Sequence, residues 1–135
     1  CMGLIQAAPQ RVASAILFQT IGLSNNKQAF FEMFDGWAAE MRSTHSEVSA
    51  DACESFKTNM FSGDFLFNVS RKFVSTCETP LLVLLGNDLY HPQETSREVA
   101  ELAPNARLIE NWKEPEHHPA AKQAVESFLA EHTPS

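Results

Sequence analysis

The 135-residue chain has no apolar run long enough to span a bilayer, so no membrane segment is expected from it. Basic residues are few. Ten Lys and Arg stand against 17 Asp and Glu, a formal net charge of -7, which argues against a nucleic-acid groove or an anionic membrane surface as partner. No basic segment leads into an apolar stretch, so nothing in the chain directs secretion, although a portion ahead of Cys1 would carry any such signal. The three cysteines, Cys1, Cys53 and Cys77, cannot all pair within one chain. They show no CxxC spacing, so neither a zinc site nor a thioredoxin-type motif is supported. Free thiols in a reducing compartment are the simplest reading, and the expected location is cytoplasmic. There, the glycosylation-type triplet Asn68-Val69-Ser70 carries no meaning. Internal repeats and low-complexity tracts are also missing.

What is present is an ordinary globular balance, 44% hydrophobic and 20% charged, in a length suited to one compact domain. Met2 to Ala8 is helix-compatible and stops at Pro9. Val12 to Thr20 reads as a buried strand. Phe30, Phe31, Phe34, Trp37, Ala38 and Met41 then recur at helical spacing, and a second helix is expected from about Ser46, with Val48, Ala52, Phe56 and Met60 near one face. Ser62-Gly63-Asp64 breaks it, and Ser62 or Asp64 would cap a third helix running through Val69 and Phe73 toward Cys77.

The last third is cleaner. Thr79 to Leu85 is a continuous apolar run closed by Gly86, the pattern of a parallel strand covered on both faces. Pro92 precedes a helix in which Thr95 and Glu98 have capping-box spacing and Val99 and Leu102 face inward. Pro104-Asn105 ends it, and Ala106 to Trp112 forms another strand. Pro119 suits a first helical residue, and Ala121, Ala124, Val125, Phe128 and Leu129 give one apolar stripe. Alternating strands and helices imply an α/β fold with a parallel sheet. Three strands leave an open hydrophobic edge, so neighbours are expected from an N-terminal half of the same fold or from a second copy in a homo-oligomer.

Thr79-Pro80 with its apolar strand, followed by Asn87-Asp88-Leu89-Tyr90-His91-Pro92, resembles the strand and acid-bearing loop of α/β-hydrolases. The helix, strand and closing helix after it are similar to that family's last units. Ala8-Pro9-Gln10-Arg11-Val12 resembles the stretch after its nucleophile helix. The resemblance implies the C-terminal half of an α/β-hydrolase fold, with core at 1–20 and 79–135 and a helical cap inserted at 21–78. Cys1-Met2-Gly3 fits the second half of the nucleophile elbow, G-x-nucleophile-x-G. Cys1 is then the nucleophile, favoured as thiolate by the helix dipole, and the Met2 N–H is an oxyanion donor. Alternatively Cys1 only marks where a clipped chain begins. A chain starting at the elbow cysteine is also what self-cleavage before that residue would leave, its new α-amine standing ready as a base.

The resemblance places the triad acid at Asp88, against a reading of Asp88 as a turn residue. The base would be His117 or His118, in the loop after the last strand. Both abut Pro119, where the family has several intervening residues, so a solvated helix-start role stands beside the catalytic one. His91 suits packing or capping, and His45 and His132 suit the surface. Phe30, Phe34 and Trp37 are candidates to roof an apolar substrate pocket, or else pack the cap's helices together. The expected activity is acyl transfer to water on an ester, thioester or related small-molecule acyl substrate, with no metal or organic cofactor implied. The alternatives are an acyltransferase on the same scaffold and a non-catalytic α/β-hydrolase-like binding or scaffold protein.

Overall fold

The computed structural model describes residues 1–133. Helix α1 (Met2–Ala7) passes through a 3-10 turn at Pro9–Arg11 into β1 (Ala15–Phe18). Three helices follow before the next strand: α2 (Lys27–Thr44), α3 (Ala50–Phe61) and α4 (Arg71–Ser75). Then come β2 (Leu81–Leu84), α5 (Gln93–Leu102), β3 (Ala106–Ile109), a 3-10 turn at Pro115–His117 and α6 (His118–His132). The strands form one parallel sheet in the order β1-β2-β3, with Ile16 opposite Leu82 and Leu82 opposite Arg107.

The central strand explains its own composition. Leu81, Leu82, Val83 and Leu84 are all buried because helices cover both faces, so the strand is uniformly apolar rather than alternating. Leu17, Leu81 and Val83 face a core completed by Met2, Ile5, Phe65, Val74 and Val99. Leu82 and Leu84 pack on the other face against Phe128, with Val125 and Ile109 beside them. Each such side chain contributes about 1.5–3 kcal/mol on burial. A third cluster lies within the inserted helices, where Leu23, Phe30, Phe34, Ala38 and Phe61 are buried together. Phe30 stacks on Phe61 and meets Phe67 edge-on, both at 5.1 Å between centroids.

Several boundaries differ from those read in the sequence. The first strand is Ala15–Phe18 rather than Val12–Thr20, because its ladder ends where Gln19 turns to φ 51. The second inserted helix starts at Ala50, where the Ser49 hydroxyl accepts from the Ala52 N–H. The third starts at Arg71, capped by Ser70, and not at Ser62 or Asp64. Residues 62–69 are held as loop instead, with the Phe65 carbonyl accepting from the Leu23 N–H at 2.8 Å and Asp64 paired to Arg71. The expected capping box in α5 does not form. The helix begins just after Pro92, Thr95 is buried, and Glu98 pairs with Arg71. The third strand stops at Ile109, Pro119 is the second residue of α6 rather than the first, and Leu129 is exposed rather than inward.

Among the described residues β1 has β2 on one side and no strand on the other. Phe18 is 56% exposed there. Such an edge carries unpaired backbone groups and is a template for pairing. No helix among the described residues is long and apolar enough to cross a membrane.

Candidate functional site

Cys1 is the N-cap residue of α1. Its carbonyl accepts from the N–H groups of Leu4 at 2.9 Å and Ile5 at 3.2 Å, while its side chain makes no cap bond and is exposed. Gly3 packs against the Asn68 carboxamide, and a Cβ there would make that side chain swing aside. Beside Cys1 opens a cavity of about 590 Å³, lined by Met2, by residues 16–21 of β1 and its continuation, by Phe56, Asn59 and Met60 of α3, and by Leu66, Phe67 and Asn68.

Two residues of this cavity carried no signal in the sequence. Gln19 holds the left-handed conformation, φ 51, although it is not a glycine, and its N–H donates to the Leu84 carbonyl at 3.0 Å. Thr20 next to it is buried, and its hydroxyl has no hydrogen-bond partner. Of the aromatic residues expected to roof a pocket, Phe30 and Phe34 are buried in the inserted helices' own core and Trp37 is half exposed. None of the three lines the cavity. The same segment contributes Phe56, Met60 and Phe67 instead.

Asp88 lies in the loop that leaves the C-terminal end of β2, where ligand sites of α/β sheets gather. One of its carboxylate oxygens accepts from the backbone N–H groups of Tyr90 at 3.0 Å and His91 at 2.9 Å, and from the His91 Nδ1 at 2.7 Å. Desolvation works against ionisation of Asp88, but the His91 ring and the two backbone donors outweigh it and hold the carboxyl below its usual pKa. The loop is anchored from elsewhere in the chain. The Asn26 carboxamide, buried, donates to the carbonyls of Leu89 at 2.7 Å and Gly22 at 3.0 Å, and accepts from the Ser24 N–H. The Tyr90 ring meets Phe30 edge-on at 5.1 Å, so the inserted helices and the acid loop are braced together.

The two histidines after the last strand are placed differently. His117 ends the 3-10 turn, half buried, and His118 begins α6 with its Nε2 2.9 Å from the Lys113 carbonyl. Since a carbonyl only accepts, that ring nitrogen carries the proton. Among the described residues neither histidine is hydrogen-bonded to Asp88, and neither they, Asp88 nor His91 line the cavity beside Cys1. The structure therefore joins Asp88 to His91 and Cys1 to the cavity, as two separate groupings. No cluster of three or more His, Cys, Asp or Glu suited to a metal occurs among the described residues.

No family model and no curated protein matches the sequence. The fold matches two solved structures of α/β-hydrolase-like proteins. They are Rv0554 from Mycobacterium tuberculosis and BpoC from Mycobacterium tuberculosis H37Rv, the latter provisionally assigned as a non-heme bromoperoxidase. Each superposes with a TM-score of 0.66 at 18% identity over 98% of this chain. The chain spans 62% of the length of the first and 63% of the second. At that identity the likeness is one of fold: mixed α/β, with a three-stranded parallel sheet flanked by helices.

Proposed function

We propose that this chain forms part of an α/β-hydrolase-like enzyme that cleaves a small acyl substrate through Cys1. The observation that carries the reading is the position of Cys1: an exposed residue at the N-cap of α1 that lines the cavity beside β1 and its continuation. The Cys1 thiolate attacks the substrate carbonyl, and the alkoxide or thiolate leaves with a proton from the base. The thioester on Cys1 is then hydrolysed by water. In this reading the Met2 N–H is one oxyanion donor. Asp88 is the orienting acid in this reading. Its observed partner makes His91 a candidate base beside His117 and His118, since an imidazole held through Nδ1 leaves Nε2 to accept a proton.

An N-terminal portion of the same fold, or a second copy of the chain, would pair on the open edge of β1.

The central test is hydrolysis of p-nitrophenyl esters by the full-length protein. Cys1→Ala should reduce the rate by about 10³-fold or more, and the three single His→Ala variants should single out the base. Activity unchanged in Cys1→Ala refutes the proposal. The separation of Asp88 from His117 and His118 favours a second reading, a non-catalytic binding protein, for which no variant alters a rate because there is none. An acyltransferase on the same scaffold would show faster acyl loss from Cys1 when an acceptor alcohol, amine or thiol is added.

A further inference from the structure

Among the described residues the cavity beside Cys1 is lined without a single Lys, Arg, Asp or Glu side chain, although these make up 20% of the chain. Its apolar wall includes Phe18, Phe56 and Met60, and its polar groups include three carboxamides, Gln19, Asn59 and Asn68. A carboxamide offers donors and an acceptor and no charge, so it suits a neutral carbonyl or hydroxyl. A carboxylate entering such a space loses water and meets no Lys or Arg side chain to pair with. Building on the proposal that Cys1 is the nucleophile, we infer that this cavity takes uncharged, largely apolar acyl compounds and turns anionic ones away. A strand pairing along Ala15–Phe18 would fill the part lined by Ile16 and Leu17. Gln19 and the α3 residues line the part beyond the strand's end.

The experiment reads binding chemistry without needing turnover. The full-length protein is reacted with N-hexylmaleimide and with 6-maleimidohexanoate, reagents of like length that differ in a terminal carboxylate. Labelled positions are located by peptide mass. Each neutral-over-anionic rate ratio is divided by that of mercaptoethanol, a neutral small thiol. Cys1 should show a corrected preference of about tenfold or more for the neutral reagent. Asn59→Lys, an exposed helix position on the cavity wall, should bring that preference toward one. Cys53 gauges general repulsion, because Asp51 and Glu54 flank it in sequence. A preference at Cys1 no greater than at Cys53, or one that Asn59→Lys leaves unchanged, overturns the inference. Loss of ester hydrolysis with the labelling preference intact would instead remove the catalytic reading and leave the cavity's selectivity standing.

Discussion

Asp88 holds His91 through the ring Nδ1 at 2.7 Å while the same oxygen takes the backbone N–H groups of Tyr90 and His91. One carboxylate thus fixes both the turn and the imidazole. The pair is partly exposed, so its energy is that of a screened surface contact, about 1 kcal/mol or less. Because the carboxyl's pKa is lowered on folding, its contribution is fully present above the unfolded value of about 4 and is lost as pH falls through the lower folded value. Urea unfolding between pH 5 and pH 2 should show this loss. Asp88→Asn, which keeps the acceptor and abolishes the titration, should flatten that part of the curve.

Gly86 controls the same loop by steric means. A Cβ at position 86 would lie 2.3 Å from the His91 carbonyl oxygen, a backbone atom that cannot swing aside. Gly86→Ala should cost about 1–3 kcal/mol and release the His91 ring from Asp88. Imidazole resonances of His91 that match those in Asp88→Ala would show the release, and unchanged resonances would contradict the clash.

Asn26→Ala removes the buried carboxamide that serves Gly22, Ser24 and Leu89. Three backbone groups lose partners, and a loss of about 2–3 kcal/mol is expected. Hydrogen exchange should rise at 88–91 as well as at 22–26, since the side chain spans both segments. Exchange rising only near residue 26 would mean the acid loop stands without it.

Gln19 offers a separation of strain from function. Gln19→Gly relieves a left-handed residue and should leave stability within about 1 kcal/mol, whereas Gln19→Val, β-branched at φ 51, should cost about 1–2 kcal/mol. If Gln19→Gly also slows reaction of Cys1 with N-hexylmaleimide while the urea midpoint holds, the carboxamide serves the cavity rather than the fold.

Phe30 and Phe56 give the sharpest contrast between packing and lining. Phe30→Ala empties the core of the inserted helices and should cost about 3–5 kcal/mol. Phe56 is 53% exposed on the cavity wall, so Phe56→Ala should change stability little and Cys1 labelling more. The reverse pattern would return the pocket to Phe30.

The sheet was legible because its signals are local and strong. The apolar run from Leu81 to Leu85 admits no amphipathic reading, and Gly86 marks where it stops. The closing helix showed through the spacing of Ala121 and Phe128, both buried in the structure. The inserted segment was less legible for the opposite reason. Its phenylalanines are so numerous that periodicity alone cannot say which ring faces its own core and which faces the cavity, and that choice depends on contacts between α2, α3 and the loop at 65–68. The Asp64–Arg71–Glu98 pairing, which kept Asp64 from capping a helix and drew Glu98 from its capping box, joins residues that no local pattern connects. Gln19 left no mark because its strain follows from the ladder ending at Phe18, a pairing property rather than a residue preference.

Trp112 gives Phe18 of β1 an optical handle. Its indole N–H donates to the Leu85 carbonyl at 2.9 Å, and its ring, reaching across from the end of β3, meets Phe18 of β1 edge-on at 5.7 Å. A change in the water around Phe18, 56% exposed, would shift the Trp112 emission over a red-shifted background from Trp37, which is half exposed. A residue that follows the last strand thus reports, with no label attached, on the surroundings of the first.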